Sequence, residues 1–280
     1  MEVLPETLSR TPPGGPSRLW SAFADAAQPS VALRHAGACD PAGSTSRLGG
    51  VPLVPDGFVW PRTRTGKALC FLGLLNGAEV NAALGRDALP GDAVLSFFYE
   101  AQEQQGWGFD PDDGQYWRVV RADPATATAA ATPDDAVAFA SLALVAERVL
   151  TVPHPSEPPL DGVPAEEGRD AFAVAGELRA DRPMPHHRVF GWPDLVQNPM
   201  RLECQLASNG VYVGGPEGYR SARAAELSAG AADWLLLWQI DTDEDAGWMW
   251  GDVGTIYYWI RQPDLAAGAF DKVWLVFQCC

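Results

Sequence analysis

Residues 69–76 read Leu-Cys-Phe-Leu-Gly-Leu-Leu-Asn, an apolar run that ends in a polar residue and is followed by the Gly-Asp pair and aromatic run of Gly91–Tyr99. The same order returns near the end of the chain, where Trp234–Asp241 precedes Gly251–Trp259. Short apolar runs bounded by turn residues are typical of buried strands. The repetition predicts a fold built from two related halves.

The segments that open the two halves correspond as well. Gly50-x-Pro52 has a counterpart 141 positions later, at Gly191-x-Pro193. Because Gly and Pro enforce turns and extended backbone, both segments are expected to be ordered loops. We place the halves at about residues 40–121 and 186–280.

Both halves are expected to belong to one domain, residues 17–280, behind a polar, flexible arm at residues 1–16. The pattern favours an α+β fold with a mixed, largely antiparallel sheet and short helices. Asn76 is placed to cap a helix over residues 77–84. The last run, residues 272–278, is apolar on both faces and predicts a central strand. Other strands are predicted at residues 31–34, 94–99, 116–121, 200–206, 234–240 and 255–260.

Nine short pieces of the chain resemble, in one order, the YwqG-like family of uncharacterised bacterial proteins. The resemblance covers most of residues 40–280 and leaves out residues 1–16. It implies a cytoplasmic α+β protein with an internal duplication, and it implies no established activity and no catalytic residues. The pieces are residues 47–61, 70–76, 95–99, 106–110, 187–197, 202–210, 235–241, 249–254 and 273–279.

The charge of the chain restricts its partners. The net charge is −16, and we find no cluster of Lys and Arg. Such an acidic chain repels phosphate backbones and anionic lipid, so neither nucleic acid nor a membrane surface is an expected partner. No apolar stretch is long enough for a transmembrane helix, and the first residues lack an export signal. Five scattered cysteines, including Cys279 and Cys280, indicate reduced thiols in the cytoplasm.

One acidic segment has the spacing of a calcium loop. Asp241, Asp243, Asp245 and Asp252 occupy positions 1, 3, 5 and 12 of a twelve-residue stretch, which would let alternate carboxylates converge on Ca²⁺. Ala246 stands where that loop needs Gly, and Asp252 is shorter than the usual Glu. The alternative is an acidic loop that leaves a strand, with Asp241 bonding local backbone amides.

No recognised catalytic motif is present. His186 and His187 are candidates for general bases or metal ligands, but no acidic or Cys partner lies at a metal-motif spacing, so they are interpreted as loop histidines. Cys204 lies in an apolar-polar alternation and is interpreted as a small core side chain. Whether the protein is an enzyme is left open by the sequence.

A duplicated fold would bring the two Gly- and Pro-rich segments together around a groove. Aromatic walls with a few polar groups are common to ligand pockets and protein-binding surfaces. The alternative is that these segments seal the ends of the core. The residues proposed to line the groove are Arg47, Trp60, Trp192, Gln197, Gln239, Asp241, Trp248, Trp250 and Asp252.

These observations favour a non-catalytic cytoplasmic binding or protein-interaction protein, for example one that is immunity-like, whose partner is a protein or a small molecule. No cofactor is expected, with Ca²⁺ as the alternative. The second hypothesis is a hydrolase that uses acidic residues such as Asp241 and Asp252 with a divalent cation. The identity of the ligand, the oligomeric state and the reactivity of Cys279 and Cys280 are not predictable from these patterns.

Overall fold

The computed structural model describes residues 18–157, 160, 168–179 and 184–280, so the predicted arm at residues 1–16 lies outside the described residues. Twelve strands are present in this part of the chain. They are β1 (Gln28–Ala38), β2 (Arg47–Leu48), β3 (Leu53–Val54), β4 (Cys70–Asn76), β5 (Val94–Tyr99), β6 (Trp117–Ala122), β7 (Thr128–Ala129), β8 (Leu142–Thr151), β9 (Arg188–Val189), β10 (Trp234–Asp241), β11 (Thr255–Arg261) and β12 (Trp274–Gln278).

Ten of these strands form one sheet in the order β12-β11-β10-β9-β1-β8-β2-β4-β5-β6, and β3 pairs with β7 in a small second sheet. Every neighbouring pair in the large sheet is antiparallel. The α+β class is therefore confirmed. The described strands form no parallel pair, so the sheet is antiparallel throughout rather than mixed.

The two ends of the large sheet approach each other, so that it nearly closes into a barrel. The indole N–H of Trp117, at the start of β6, donates to the carbonyl of Val273, which precedes β12, at 2.9 Å. The backbone N–H of Phe277 donates to the carbonyl of Trp107 at 3.0 Å. These contacts bury every residue of β12. The prediction of a central strand there is wrong, because the near-closure buries an end strand on both faces.

Seven short helices lie among the described residues, and none of them is long and apolar enough to cross a membrane. Asn76 caps the second of them as predicted: its side-chain oxygen accepts from the backbone N–H groups of Ala78 and Glu79. The helices are α1 (Arg18–Asp25), α2 (Gly77–Leu84), α3 (Gly168–Arg179), α4 (Arg201–Ala207), α5 (Pro216–Tyr219), α6 (Ala222–Leu227) and α7 (Gln262–Ala266).

Aromatic side chains from distant strands fill the interior of the sheet. The ring of Phe97 on β5 lies edge-on to Trp238 on β10 at 4.6 Å and to Tyr258 on β11 at 5.0 Å. The hydroxyl of Tyr258 donates to the carbonyl of Phe98 at 3.1 Å. Gly73 on β4 leaves room for Trp238, because a Cβ there would lie 2.8 Å from the indole. Strands from both ends of the chain thus share one interior.

The segment predicted as a strand at residues 200–206 is helix α4 instead. Alternation of Leu202, Cys204 and Leu206 with polar residues predicts a strand, but Leu, Arg, Glu and Gln, which make up most of this segment, also favour helices. As a helix, the segment buries Cys204 and Leu206 as well as Gln205 and Ala207. The helical turn also half-buries Glu203, which a strand would have pointed at solvent.

Burial of Glu203 has a consequence for stability. Loss of hydration, with a smaller contribution from the negative charge of Asp113, raises the pKa of Glu203 to about 7. Because a raised carboxyl pKa favours the protonated folded state, stability falls as pH rises from the unfolded value near 4.5 through 7. We expect Glu203→Gln to raise the free energy of unfolding at pH 8 by about 2 kcal/mol and to leave it nearly unchanged at pH 4.5.

Urea denaturation of the wild type and of Glu203→Gln between pH 4.5 and pH 8 measures this difference in the free energy of unfolding. Glu226→Gln, on the exposed face of α6, is the matched control because its carboxylate is exposed and ion-paired with Arg223. An equal response of the two variants to pH would contradict the assignment of the effect to Glu203.

Candidate functional site

Two histidines and one aspartate meet at the end of the sheet where β1 and β10 finish. His35 lies on β1, His187 precedes β9 and Asp243 follows β10. The Oδ2 atom of Asp243 lies 2.7 Å from Nε2 of His35 and 2.8 Å from Nε2 of His187. We call these three residues the His–Asp cluster. Antiparallel pairing of β1 and β10 with β9 brings together residues that are far apart in sequence.

A tight turn holds Asp243 in place. Its backbone N–H and carbonyl both bond Trp248, at 2.9 and 2.8 Å. Its Oδ1 atom accepts from the backbone N–H groups of Asp245 and Ala246, at 3.0 and 3.2 Å. Side-chain bonds of this kind are a common reason for Asp at the start of a turn. Both carboxylate oxygens of Asp243 are therefore occupied within the chain.

The backbone fixes the tautomer of His187. The N–H of Asp241 donates to Nδ1 of His187 at 3.1 Å, so that nitrogen presents its lone pair. A neutral His187 must then carry its proton on Nε2, where it donates to Asp243. The ring is fully buried and has both nitrogens engaged, so neither is available for proton transfer to a substrate.

His35 bridges two carboxylates. Its Nε2 faces Asp243, and its Nδ1 lies 3.4 Å from Oδ2 of Asp245. His35 therefore links strand β1 to the turn that contains Asp243 and Asp245.

The cluster also determines the ionisation of Asp243. Burial by itself would raise the pKa of this carboxyl. The hydrogen bond and electrostatic attraction of His187, the backbone N–H of Ala246 and the attraction of His35 outweigh burial, and the pKa of Asp243 is lowered below its usual value. Asp243 is thus a carboxylate held in the ionised form.

The same three residues have the composition of a metal site. One ligand atom from each lies within 4.8 Å of the other two, and two His with one carboxylate is a common ligand set for transition metals. A metal-bound His normally donates its second N–H to an acceptor. Here that second nitrogen of His187 receives an N–H instead, which favours the hydrogen-bonded arrangement over a metal site.

The four acids of the predicted calcium loop do not form such a group within the described part of the chain. Asp241 is buried, and its carboxylate accepts from the N–H groups of Thr242 and His186 and from the hydroxyl of Thr255. Asp245 and Asp252 are exposed. The bonds of Asp241 match the alternative interpretation, an acidic loop in which Asp241 binds local backbone amides. A calcium role stays a prediction.

The predicted groove residues are mostly inside the protein. The indoles of Trp60, Trp192 and Trp250 each donate to a backbone carbonyl, those of Leu69, Ala26 and Asp241 respectively. Trp248 is buried too, with its ring edge-on to Phe139.

The polar members of the predicted groove also have partners within the chain. Arg47 is fully buried and donates to the carbonyls of Gly43 and Val51. Gln239 donates to the carbonyl of His186, and Gln197 donates to that of Cys279. These side chains hydrogen-bond the backbone of the protein itself, and a ligand-binding role for them stays a prediction.

Asp243 and His187 were singled out by sequence, but their association with each other and with His35 was not foreseen. The sequence carried one relevant signal, the His186-His187 pair next to a predicted strand. His35 is an isolated residue in a strand, and its contact with Asp243 spans 208 positions. Only the order of the strands reveals this contact.

The segment that leaves the cluster has several exposed side chains. We call residues 242–254 the acidic loop. Within it, Met249 and Val253 are 48% and 54% exposed. Val253 has a φ of 50°, in the left-handed region that β-branched residues avoid. Gln104 ties the loop to the body, since it donates to the carbonyl of Met249 and accepts from the N–H of Gly251.

These features define an α+β protein whose titratable cluster is bonded internally and which presents one ordered, exposed loop. The chain belongs to a family described as a domain of unknown function, DUF1963, whose match covers residues 46–279. No curated protein matches the chain.

Proposed function

We propose that this protein is a non-catalytic, cytoplasmic protein-interaction protein, of the kind that neutralises a partner as an immunity protein does, and that the acidic loop is its contact surface. The observation that supports this is Val253, an exposed apolar side chain in a strained backbone conformation. Such strain costs about 1–3 kcal/mol and concentrates at functional sites.

The acidic loop has the composition of a protein-binding surface. Met249 and Val253 are apolar anchors, and Glu244, Asp245 and Asp252 are exposed acids around them. An apolar centre with a charged rim is the usual anatomy of an interface. With a net charge of −16, the surface would attract a basic partner and speed its association.

The His–Asp cluster has a supporting role in this proposal. It fixes the turn at Asp243, and the hydrogen bonds of Thr242 and Gln104 fix the remainder of the loop. A rigid loop loses little conformational entropy on binding, which favours affinity. The absence of a free general base in the cluster supports binding over catalysis.

Affinity capture from the native host, with the intact protein as bait, tests the proposal. The variant Val253→Asn with Met249→Gln removes both apolar side chains, while Asn tolerates the left-handed backbone. We expect the wild type to capture a basic protein and the double variant to lose it. Val59→Asn, at a position that is 83% exposed, should retain it.

Two outcomes would reverse the proposal. One is a partner retained equally by the double variant and by Val59→Asn. The other is a wild type that captures nothing but turns over a substrate in a broad hydrolase screen.

We propose further that the fold arose by internal duplication, as in the YwqG-like group. In one half the N–H of Asn76 donates to Oγ of Ser46 at 2.9 Å, and in the other the N–H of Asp241 donates to Nδ1 of His187 at 3.1 Å. Ser46 and His187 are 141 positions apart, the spacing of the two Gly-x-Pro segments.

Two further correspondences support the duplication. The β4–β5 pair has a register shift at Phe71/Gly73, and the β10–β11 pair has one at Leu236/Trp238. Outward from β1 and β8, the sheet continues in the same sequence of one short strand and three longer ones on each side. An experimental structure in which residues 40–121 and 186–280 follow different paths would contradict the duplication.

A second candidate function is a hydrolase with a divalent cation, with the His–Asp cluster as its ligand set instead of Asp241 and Asp252. The convergence of three ligand atoms within 4.8 Å favours it, and the tautomer of His187 opposes it. A ligand that binds only the folded state raises the melting temperature.

Thermal melts with millimolar Zn²⁺, Mn²⁺, Ca²⁺ and Mg²⁺ separate the two functions. We expect no increase in melting temperature with any of them. An increase with one cation that disappears in Asp243→Asn but persists in Asp245→Asn would establish the metal site and favour the hydrolase.

A further inference from the structure

A cavity of about 520 Å³ lies at the end of the sheet opposite the acidic loop. It opens beside the first residues of β1 and β10, whereas the acidic loop follows the last residue of β10. Its volume falls within the range of about 300–1,000 Å³ that is usual for small-molecule sites. The apolar part of its wall includes Pro29, Pro90, Phe190, Leu235, Leu236 and Leu265.

Arg201, the first residue of α4, supplies a cation to this wall. Its guanidinium lies 4.6 Å from the centre of the Trp192 indole, in a cation–π contact. It donates no hydrogen bond to any described residue, and its Nε atom is buried without a partner. A buried donor without an acceptor is costly, and the cavity is where the rest of this guanidinium can meet an acceptor from another molecule.

The groups around Arg201 supply charge but no hydrogen-bond acceptor for its buried Nε atom among the described residues. Burial lowers the pKa of Arg201, while the negative charge of Glu157 and the proximity of Cys204 act in the opposite direction. A guanidinium that is stacked on an aromatic ring and removed from water suits a planar or tetrahedral anion.

The rest of the wall carries a small positive excess. Arg86 lies in the connection that follows α2 and is exposed, and Asp87 beside it is the one carboxylate among the described residues that line the cavity. This described lining therefore contains two guanidinium groups and one carboxylate. On a protein with a net charge of −16, a cationic cavity is a local exception to the overall charge.

We propose that this cavity binds a small organic anion, with its carboxylate or phosphate on Arg201 and its apolar body against the leucines of β10 and α7. An apolar wall with one or two placed charges is the usual design of such a site. The proposal goes beyond the protein-interaction role, because the cavity and the acidic loop are at opposite ends of the sheet.

Isothermal titration calorimetry on the full chain tests the proposal with four probes: octanoate, phenyl phosphate, inorganic phosphate and 1-octanol. We expect octanoate or phenyl phosphate to bind, and the tighter of the two identifies the anionic group. Inorganic phosphate lacks the apolar body and 1-octanol lacks the charge, so both should bind at least about 10-fold more weakly.

Three variants locate the site. Arg201→Gln should weaken the binding of the better probe at least about 10-fold, because a charge-assisted bond is lost. Ala266→Trp, at an exposed position on α7 that lines the cavity, should block binding without disturbing the core. Arg223→Gln on α6, outside the cavity, should leave binding unchanged.

The proposal is overturned if neither octanoate nor phenyl phosphate binds the wild type at millimolar concentration. Binding of 1-octanol as tight as that of octanoate would remove the anion specificity. Unchanged binding in both Arg201→Gln and Ala266→Trp would place the site elsewhere. None of these results bears on the capture experiment with the acidic loop.

Discussion

Asp243→Ala is expected to lower the free energy of unfolding at pH 7 by about 3 kcal/mol, since each buried donor that loses its acceptor costs about 1–3 kcal/mol. The carboxylate accepts four hydrogen bonds, from His35, His187 and the backbone N–H groups of Asp245 and Ala246. The partly exposed His35 can find water instead, which places the estimate at the low end. His187 is fully buried and cannot.

Urea denaturation measures this loss, and Asp245→Ala provides the matched control in the same turn. Asp245 is 82% exposed, so its interaction with His35 is screened by solvent and its removal should cost less than about 0.5 kcal/mol. Equal costs for the two variants would show that the His–Asp cluster does not hold the acidic loop in place.

The cost of Asp243→Ala should also depend on pH. The pKa of Asp243 is lowered in the folded state, so Asp243 stabilises the fold fully at any pH above the pKa of this carboxyl in the unfolded chain, about 3.9. This stabilisation is lost as pH falls through the lower pKa of the folded state. The stabilities of wild type and Asp243→Ala should therefore converge in acid, and a difference that widens there would contradict the lowered pKa.

Local patterns predicted the elements that local interactions determine. Helix α2 has the predicted bounds because Asn76 caps it, and β5 spans the predicted residues 94–99 because turn residues flank it. Helix α4 is not predicted by the sequence, because alternation of apolar and polar residues over residues 201–206 indicates a strand. The helical form of this segment depends on its packing against the rest of the protein, which the structure shows as burial of Cys204 to Ala207.

Non-local pairing explains what the sequence could not predict. The sequence predicts which tryptophans lie near turns, but not the partners of their indoles. In the structure the indoles of Trp60, Trp192 and Trp250 bond backbone carbonyls, and a groove lined by them stays a prediction. Likewise, the His–Asp cluster depends on the order β10-β9-β1, which joins strands from opposite ends of the chain. No periodicity encodes that order.

The second large effect is expected at the centre of the shared interior. Trp238→Ala should lower the free energy of unfolding by about 4 kcal/mol, because loss of a fully buried indole leaves a cavity. Trp238→Phe should cost much less, since the indole N–H has no partner among the described residues and only size is lost. Urea denaturation of both variants gives the two values.

A substitution at Gly73 tests whether the cost of Trp238→Ala comes from contact between β4 and β10. A Cβ at Gly73 would lie 2.8 Å from the Trp238 ring and 2.5 Å from the carbonyl oxygen of Arg47. Gly73→Ala should therefore be destabilising by itself, and part of that cost should vanish when it is combined with Trp238→Phe. The clash with Arg47 would remain. Side chains in direct contact cannot change independently. Strictly additive costs of the two substitutions would therefore mean that β4 and β10 do not share a packed interior. A cost for Trp238→Ala below about 1 kcal/mol would mean the same.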